Sequence, residues 1–234
     1  MRAQDPNPLI SPLSTWPPQW TPRAVVFDCD GLLIDTEAEW VLTQKDYIAR
    51  RGAVVTDEQW RGLAGRTIET VVRSLAEITG QDPYAAGDEL KQMHIERQSA
   101  APVLMPGAVD TVRAVAAKVP VAIASNSPRD LLDAAIAQIG VADVLTASVS
   151  ENDVAHPKPA PDIYVEAARR LGVDPARALA FEDSETGARA AYDAGLQVIA
   201  VPSLPGQSPR AHRTITTLED PVLQAWIATW EARA

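Results

Sequence analysis

Between residues 24 and 201 the chain alternates short apolar runs with longer stretches in which apolar residues recur every three or four positions. The short runs fall at 24–27, 119–124, 144–148, 178–181 and 198–201, and each reads as a strand of a buried sheet. Between them, Leu131, Leu132, Ala135, Ile136 and Ile139 line one helical face, and Tyr164, Ala167, Ala168 and Leu171 line another. The punctuation agrees. Ser127 followed by Pro128 suits an N-cap and first helical position, while Gly140, Gly172 and Gly195 stand where glycine ends a helix. Strands alternating with helices predict an α/β fold, a Rossmann-like parallel sheet covered by helices.

One stretch breaks the alternation. Residues 37–101 hold helical patterns only, Trp40, Tyr47 and Ile48 and then Val71, Val72 and Leu75, before Met105-Pro106-Gly107 marks the return of strands. This segment is expected to be an inserted α-helical cap, with the core built from residues 23–36 and 102–210. Residues 1–22 hold six of the nineteen prolines, and Trp16-Pro17-Pro18-Gln19-Trp20 suits neither a helix nor a central strand. They read as an extended arm that packs on its own domain or stays disordered, rather than one that docks a partner. Residues 211–234 read as an extension with a short helix near 222–230.

Charge and cysteine usage narrow the function classes. A formal net charge of −10 without a basic stripe argues against generic binding to nucleic acid or anionic membranes. Cys29 is the single cysteine and no apolar run reaches transmembrane length, so a cytoplasmic, disulfide-free chain is expected, with no secretory signal and a monomer favoured.

Chemistry concentrates where the predicted strands end, which is where ligands gather on open parallel sheets. After the first run come Asp28 and Asp30, two residues apart. Side chains so spaced on a strand share a face, so without a cation or a shared proton they would repel and one pKa would rise. A divalent metal relieves this, with one carboxylate as ligand or nucleophile and the other as acid or base. After the second run come Ser125, Asn126 and Ser127; beyond the third comes Lys158, in His156-Pro157-Lys158-Pro159; after the fourth come Glu182, Asp183 and Ser184. Carboxylates, hydroxyls, an amide and a cation in a proline-stiffened loop describe a phosphate site that takes magnesium. Ser127, next to Pro128, is expected to serve as a helix cap, and Asp35 to be mainly structural. Cys29 is expected to be a small buried thiol, and the three scattered histidines receive no role.

Four segments in order, Asp28-Cys29-Asp30-Gly31-Leu32-Leu33-Ile34-Asp35, Ala124-Ser125-Asn126, Lys158-Pro159-Ala160-Pro161-Asp162 and Phe181-Glu182-Asp183-Ser184, resemble the motifs of the haloacid dehalogenase-like hydrolase superfamily, in the branch with a helical cap. The resemblance implies that Asp28 attacks phosphorus to form an aspartyl-phosphate while Asp30 protonates the leaving group and later activates water. It further implies that magnesium is held by Asp28, the backbone carbonyl of Asp30, Asp183 and Glu182, the last directly or through water. Ser125, Asn126 and Lys158 would hold the phosphate oxygens. In the cap, Thr36 matches a threonine of β-phosphoglucomutase-like mutases, and Arg66, after Gly62-Leu63-Ala64-Gly65, matches a loop that reaches the active site in related proteins. Trp40 stands where those mutases carry a histidine, which turns the expectation toward a phosphatase acting on a small sugar or polyol phosphate. Asp30 weighs against dehalogenation and phosphonate cleavage. A phosphosugar mutase and a non-catalytic phosphate-binding or interaction protein remain the alternatives.

Overall fold

The computed structural model describes residues 11–63, 68–100 and 102–232. The chain divides into two compact units, one from residues 1–35 and 104–234 and the other Thr36–Val103.

The first unit is built on a six-stranded parallel sheet among the described residues, β1 (Ala24–Phe27), β2 (Val121–Ala124), β3 (Ala147–Val149), β4 (Ala178–Glu182), β5 (Gln197–Ala200) and β6 (Arg213–Thr214), in the order β3-β2-β1-β4-β5-β6. Side chains alternate across each strand, so the sheet builds two cores at once. One face carries Val25, Phe27, Val121, Ile123, Leu179 and Phe181, and Phe27 stacks on Phe181 with ring centroids 5.0 Å apart. The other carries Ala24, Val26, Ala122, Ala124, Ala178 and Ala180, against helices with similarly small buried residues such as Ala167, Ala188 and Ala191. Burial on both faces explains why the strands read as nearly continuous apolar runs.

The helices of this unit are α5 (Ala108–Ala116), α6 (Arg129–Ile139), α7 (Asp162–Leu171), α8 (Glu185–Asp193) and α9 (Pro221–Ala228). Gly140 and Gly172 end α6 and α7 in the left-handed conformation that glycine adopts at little cost, as the sequence suggested.

Three details differ from the sequence reading. Ser127 does not cap α6: Pro128 is the flanking residue, the first helical N–H, that of Arg129, donates to Asn152 Oδ1 at 2.8 Å, and the Ser127 hydroxyl turns elsewhere. The third strand begins at Ala147 because Val144 is taken into a turn after α6, closed by its N–H to the Val141 carbonyl. The last segment is no appendage. It supplies β6 and then α9, which is capped by Asp220, whose Oδ1 accepts from Val222 N and Leu223 N, and which buries Leu223, Trp226 and Ile227 in the first core. Residues 11–22 form neither helix nor strand, yet Leu13 is buried there, Trp16 meets Trp226 at 5.8 Å, and Trp226 Nε1 donates to the Trp20 carbonyl at 2.9 Å.

The second unit holds α1 (Thr36–Arg50), α2 (Asp57–Leu63), α3 (Ile68–Thr79) and α4 (Pro83–Ala100). Its own core gathers Tyr47, Ile48, Val71, Leu75, Ala86, Leu90 and Met93. Thr56 and Gln59 exchange hydrogen bonds at the start of α2 as a reciprocal cap, Gln59 Oε1 accepting from Thr56 N at 2.8 Å. Ion pairs from Arg51 to Glu89 and from Arg97 to Asp46 tie α4 to α1 and to the residue that follows it. No helix among the described residues is long and apolar enough to cross a membrane.

Candidate active site

At the end of β1 the Asp28 N–H still donates to the Phe181 carbonyl of β4 at 3.0 Å, so the first carboxylate is set on a fixed backbone. The chain then turns tightly. Gly31 takes φ +85, its N–H donating to the Ile34 carbonyl, and Leu33 and Ile34 both donate back to the Cys29 carbonyl. Cys29 itself packs into the apolar core, as expected of a small buried thiol. Asp30 Oδ2 accepts from Ser125 Oγ at 2.7 Å and from Ser127 Oγ at 2.9 Å. The hydroxyl assigned to phosphate and the one assigned to a helix cap therefore both hold the second aspartate.

Lys158 reaches the first. Its buried ammonium donates to Asp28 Oδ1, to Glu182 Oε1 at 2.7 Å and to the Ala124 carbonyl at 3.0 Å, with the Tyr164 ring centroid 5.0 Å away. All three protons are thereby placed. Asn126 clamps the backbone behind it: Asn126 Oδ1 accepts from Lys158 N at 2.9 Å, and Asn126 Nδ2 donates to the Lys158 carbonyl at 3.1 Å.

Glu182, the last residue of β4, has no exposed surface and is fully occupied. Oε1 accepts from Lys158 and from Tyr164 OH at 2.7 Å; Oε2 accepts from Asp183 N, Ser184 N and Ser184 Oγ at 3.1–3.2 Å. Gly187, in the first turn of α8, leaves the room for it, since a Cβ there would coincide with the Glu182 carboxyl group. Asp183 next door accepts from Ser203 Oγ at 2.6 Å.

Asp28, Glu182 and Asp183 each present an oxygen within 4.8 Å of the others. Three carboxylates then face the single positive charge of Lys158, and the imbalance is visible in the ionisation of Asp28 and Asp183. Burial pushes the Asp28 carboxyl well above its ordinary range; Lys158 opposes this, and Glu182, Asp183 and Asp30 add to it. Burial raises Asp183 to about 6 despite the Ser203 hydrogen bond. Burial alone would lower Lys158, but Asp28 and Glu182 hold its ammonium well above the usual value. An all-oxygen, carboxylate-rich donor set with surplus negative charge fits a hard divalent cation such as magnesium.

Asp28, Asp30, Ser125, Asn126, Lys158, Glu182 and Asp183 thus converge in one unit. Thr36 and Trp40 belong to the other, Thr36 as the first residue of α1 and Trp40 with its ring 5.5 Å from His94, edge to face. Arg66 lies outside the described residues. Tyr164, Gly187 and Ser203 were not expected at the site from the sequence, which placed Tyr164 only on a buried helical face. Only Tyr164 left a signal, a hydroxyl on an otherwise aliphatic buried face that needs a partner.

A strand-end cluster of carboxylates around a buried lysine, on a doubly covered parallel sheet, is the equipment of an α/β phosphomonoester hydrolase. More narrowly, the chain belongs to the haloacid dehalogenase-like hydrolases, whose family model matches residues 22–195. It is 33% identical over 213 residues to the bifunctional riboflavin kinase/FMN phosphatase of Arabidopsis thaliana, covering 86% of this chain and 55% of that protein. The chain therefore spans only about half the length of that relative. It is 27% identical over 183 residues to the fructose-1-phosphate phosphatase YqaB of Escherichia coli, covering 76% of this chain and 95% of that one. Among solved structures, a haloacid dehalogenase family hydrolase of Deinococcus radiodurans with bound phosphate and sodium superposes with TM-score 0.68 at 27% identity, covering 89% of this chain and 98% of the other. Phosphatases of small phosphorylated metabolites are the company this chain keeps.

Proposed function

We propose that the protein hydrolyses a sugar or polyol phosphate through an aspartyl-phosphate on Asp28. The observation that supports this most is the division of labour between the two aspartates: Asp28 joins the acidic cluster, while Asp30 is held apart from it by Ser125 and Ser127. This difference supports a reading in which one carboxylate acts on phosphorus and the other on protons.

Asp28 Oδ attacks phosphorus in line, forming one O–P bond as the ester O–P bond breaks. Asp30, protonated, gives its proton to the departing alkoxide. It then accepts a proton from water, whose oxygen attacks the same phosphorus and releases Asp28. A protonated Asp30 needs fewer donors, which frees a Ser125 or Ser127 hydroxyl to turn toward the phosphoryl oxygens. Lys158, pinned by Asn126, supplies the fixed positive charge beside them; a lost donor of this kind costs about 10²- to 10³-fold in rate elsewhere. Asp28, Asp183, the Asp30 carbonyl and Glu182, the last through water because its oxygens are already engaged, would hold magnesium. When bound, it would neutralise the surplus carboxylate charge and stabilise the transferring phosphoryl group.

The Escherichia coli relative named for fructose 1-phosphate supports the substrate class. Phosphate release from a panel of sugar and polyol phosphates, with and without magnesium, tests it. Asp28→Asn is expected to lower release more than about 10³-fold with folding retained. Interconversion of hexose 1- and 6-phosphates without release of phosphate would favour a mutase, and unchanged release by Asp28→Asn would remove the nucleophile.

A further inference from the structure

Asp183 has a partner that belongs to none of the four motifs. β5 pairs with β4 so that Ala200 lies beside Glu182, and Val201 N donates to the Glu182 carbonyl at 2.7 Å. The chain leaving β5 is thereby held next to the residue that follows β4. Ser203 sits in that segment, and its hydroxyl meets Asp183 Oδ2 at 2.6 Å. The opposite wall is Gly31. At φ +85 it brings bare backbone against the same carboxylate: a Cβ there would overlap Oδ2, lie 2.8 Å from Asp183 Cγ and 3.2 Å from Ser203 Oγ. The Asp183 carboxylate stands in a slot between a glycine and a hydroxyl.

We infer that Ser203 is a positioning residue for the cation site, holding Asp183 Oδ2 so that the other carboxylate oxygen is turned to the metal. The terminal torsion of an aspartate is broad, and a carboxylate at a strand end would otherwise sample many planes. A hydrogen bond from outside the ligand set removes that freedom. Loss of such outer partners typically weakens metal affinity about 10- to 100-fold. The inference rests on the magnesium site of the proposed function. Ser203 is only half-buried, so truncating it leaves no large cavity.

The test is calorimetric titration of magnesium into the full chain stripped of metal, for the unsubstituted protein, Ser203→Ala and Ser203→Thr. Ser203→Ala is expected to bind about 10- to 100-fold more weakly. Ser203→Thr, which keeps the hydroxyl, is expected to restore most of the affinity. The magnesium concentration for half-maximal phosphate release should rise in Ser203→Ala while the rate at saturating magnesium holds. Equal affinity in Ser203→Ala, or a loss in Ser203→Thr as large as in Ser203→Ala, would overturn the role of the hydroxyl while leaving the magnesium site standing. Failure of the unsubstituted protein to bind magnesium would overturn the site itself, and the inference with it.

Discussion

Replacing Gly187 with alanine sets two physical arguments against each other. Helix propensity alone predicts a gain, since alanine is favoured over glycine inside a helix by roughly 0.5–1 kcal/mol. The structure predicts a loss. An added Cβ would coincide with the carboxyl group of Glu182. Neither backbone can yield easily: Glu182 is paired to β5 through Val201, and Gly187 N donates to the Ser184 hydroxyl that caps α8. The carboxylate must therefore leave the seat in which Lys158, Tyr164, Asp183 and Ser184 donate to it. Breaking a buried ion pair by displacing one member costs about 3–5 kcal/mol, and the lost hydrogen bonds fall within that figure rather than adding to it. For a chain of this size the melting temperature should drop by roughly 6–20 °C. Thermal unfolding followed by circular dichroism measures this, and phosphate release should fall as Lys158 loses one of its anchors. The cycle with Glu182→Ala isolates the cause, because in that background the added methyl finds free space and Gly187→Ala should cost under about 1 kcal/mol. A melting temperature equal to or above that of the unsubstituted protein, or full additivity in the cycle, would refute the reasoning.

Three further outcomes follow from the structure. Asp183 is raised from 3.8 to about 6, so in metal-free protein its contribution to stability is present below pH 4 and is lost as pH rises through about 6. Denaturation in chelator across that range should show the slope, and Asp183→Asn should reduce it, leaving the part that the raised Asp28 carboxyl contributes. Magnesium, which needs the ionised carboxylate, should bind more tightly over the same rise in pH. Trp226→Ala empties a buried site that touches both Trp16 and Trp230 and should destabilise the fold by about 3–5 kcal/mol, read from denaturant midpoints, with magnesium affinity of the folded fraction unchanged.

The parts of the fold legible in the sequence were those whose burial writes a pattern. β1 and β4 read as apolar runs because both of their faces are covered, and Gly140 and Gly172 announced helix ends because the left-handed turn demands them. β6 wrote none, being two polar edge residues paired to β5 through the backbone, with the Arg213 guanidinium over the Trp16 ring. The site divides the same way. The residues that gather at the strand ends could be lined up from strand positions, but their partners could not. Ser127 finds Asp30 across 97 positions and Ser203 finds Asp183 across 20, and neither distance is fixed by any local rule. Ser127 also sat before a proline, where capping is the ordinary expectation; Asn152, brought in from the 3-10 turn Glu151–Asp153 after β3, took that task instead.

The bond from Trp226 to the Trp20 carbonyl joins residues 206 positions apart. During synthesis, residues 11–22 leave the ribosome long before the helix that covers them exists. At about 5–20 residues per second, that interval is roughly 10 to 40 seconds. Over it, Leu13, Trp16 and Trp20 have no Trp226 to pack on and are open to chaperones and to other nascent chains. Residues 11–22 are made well before α9 and are finished only with it.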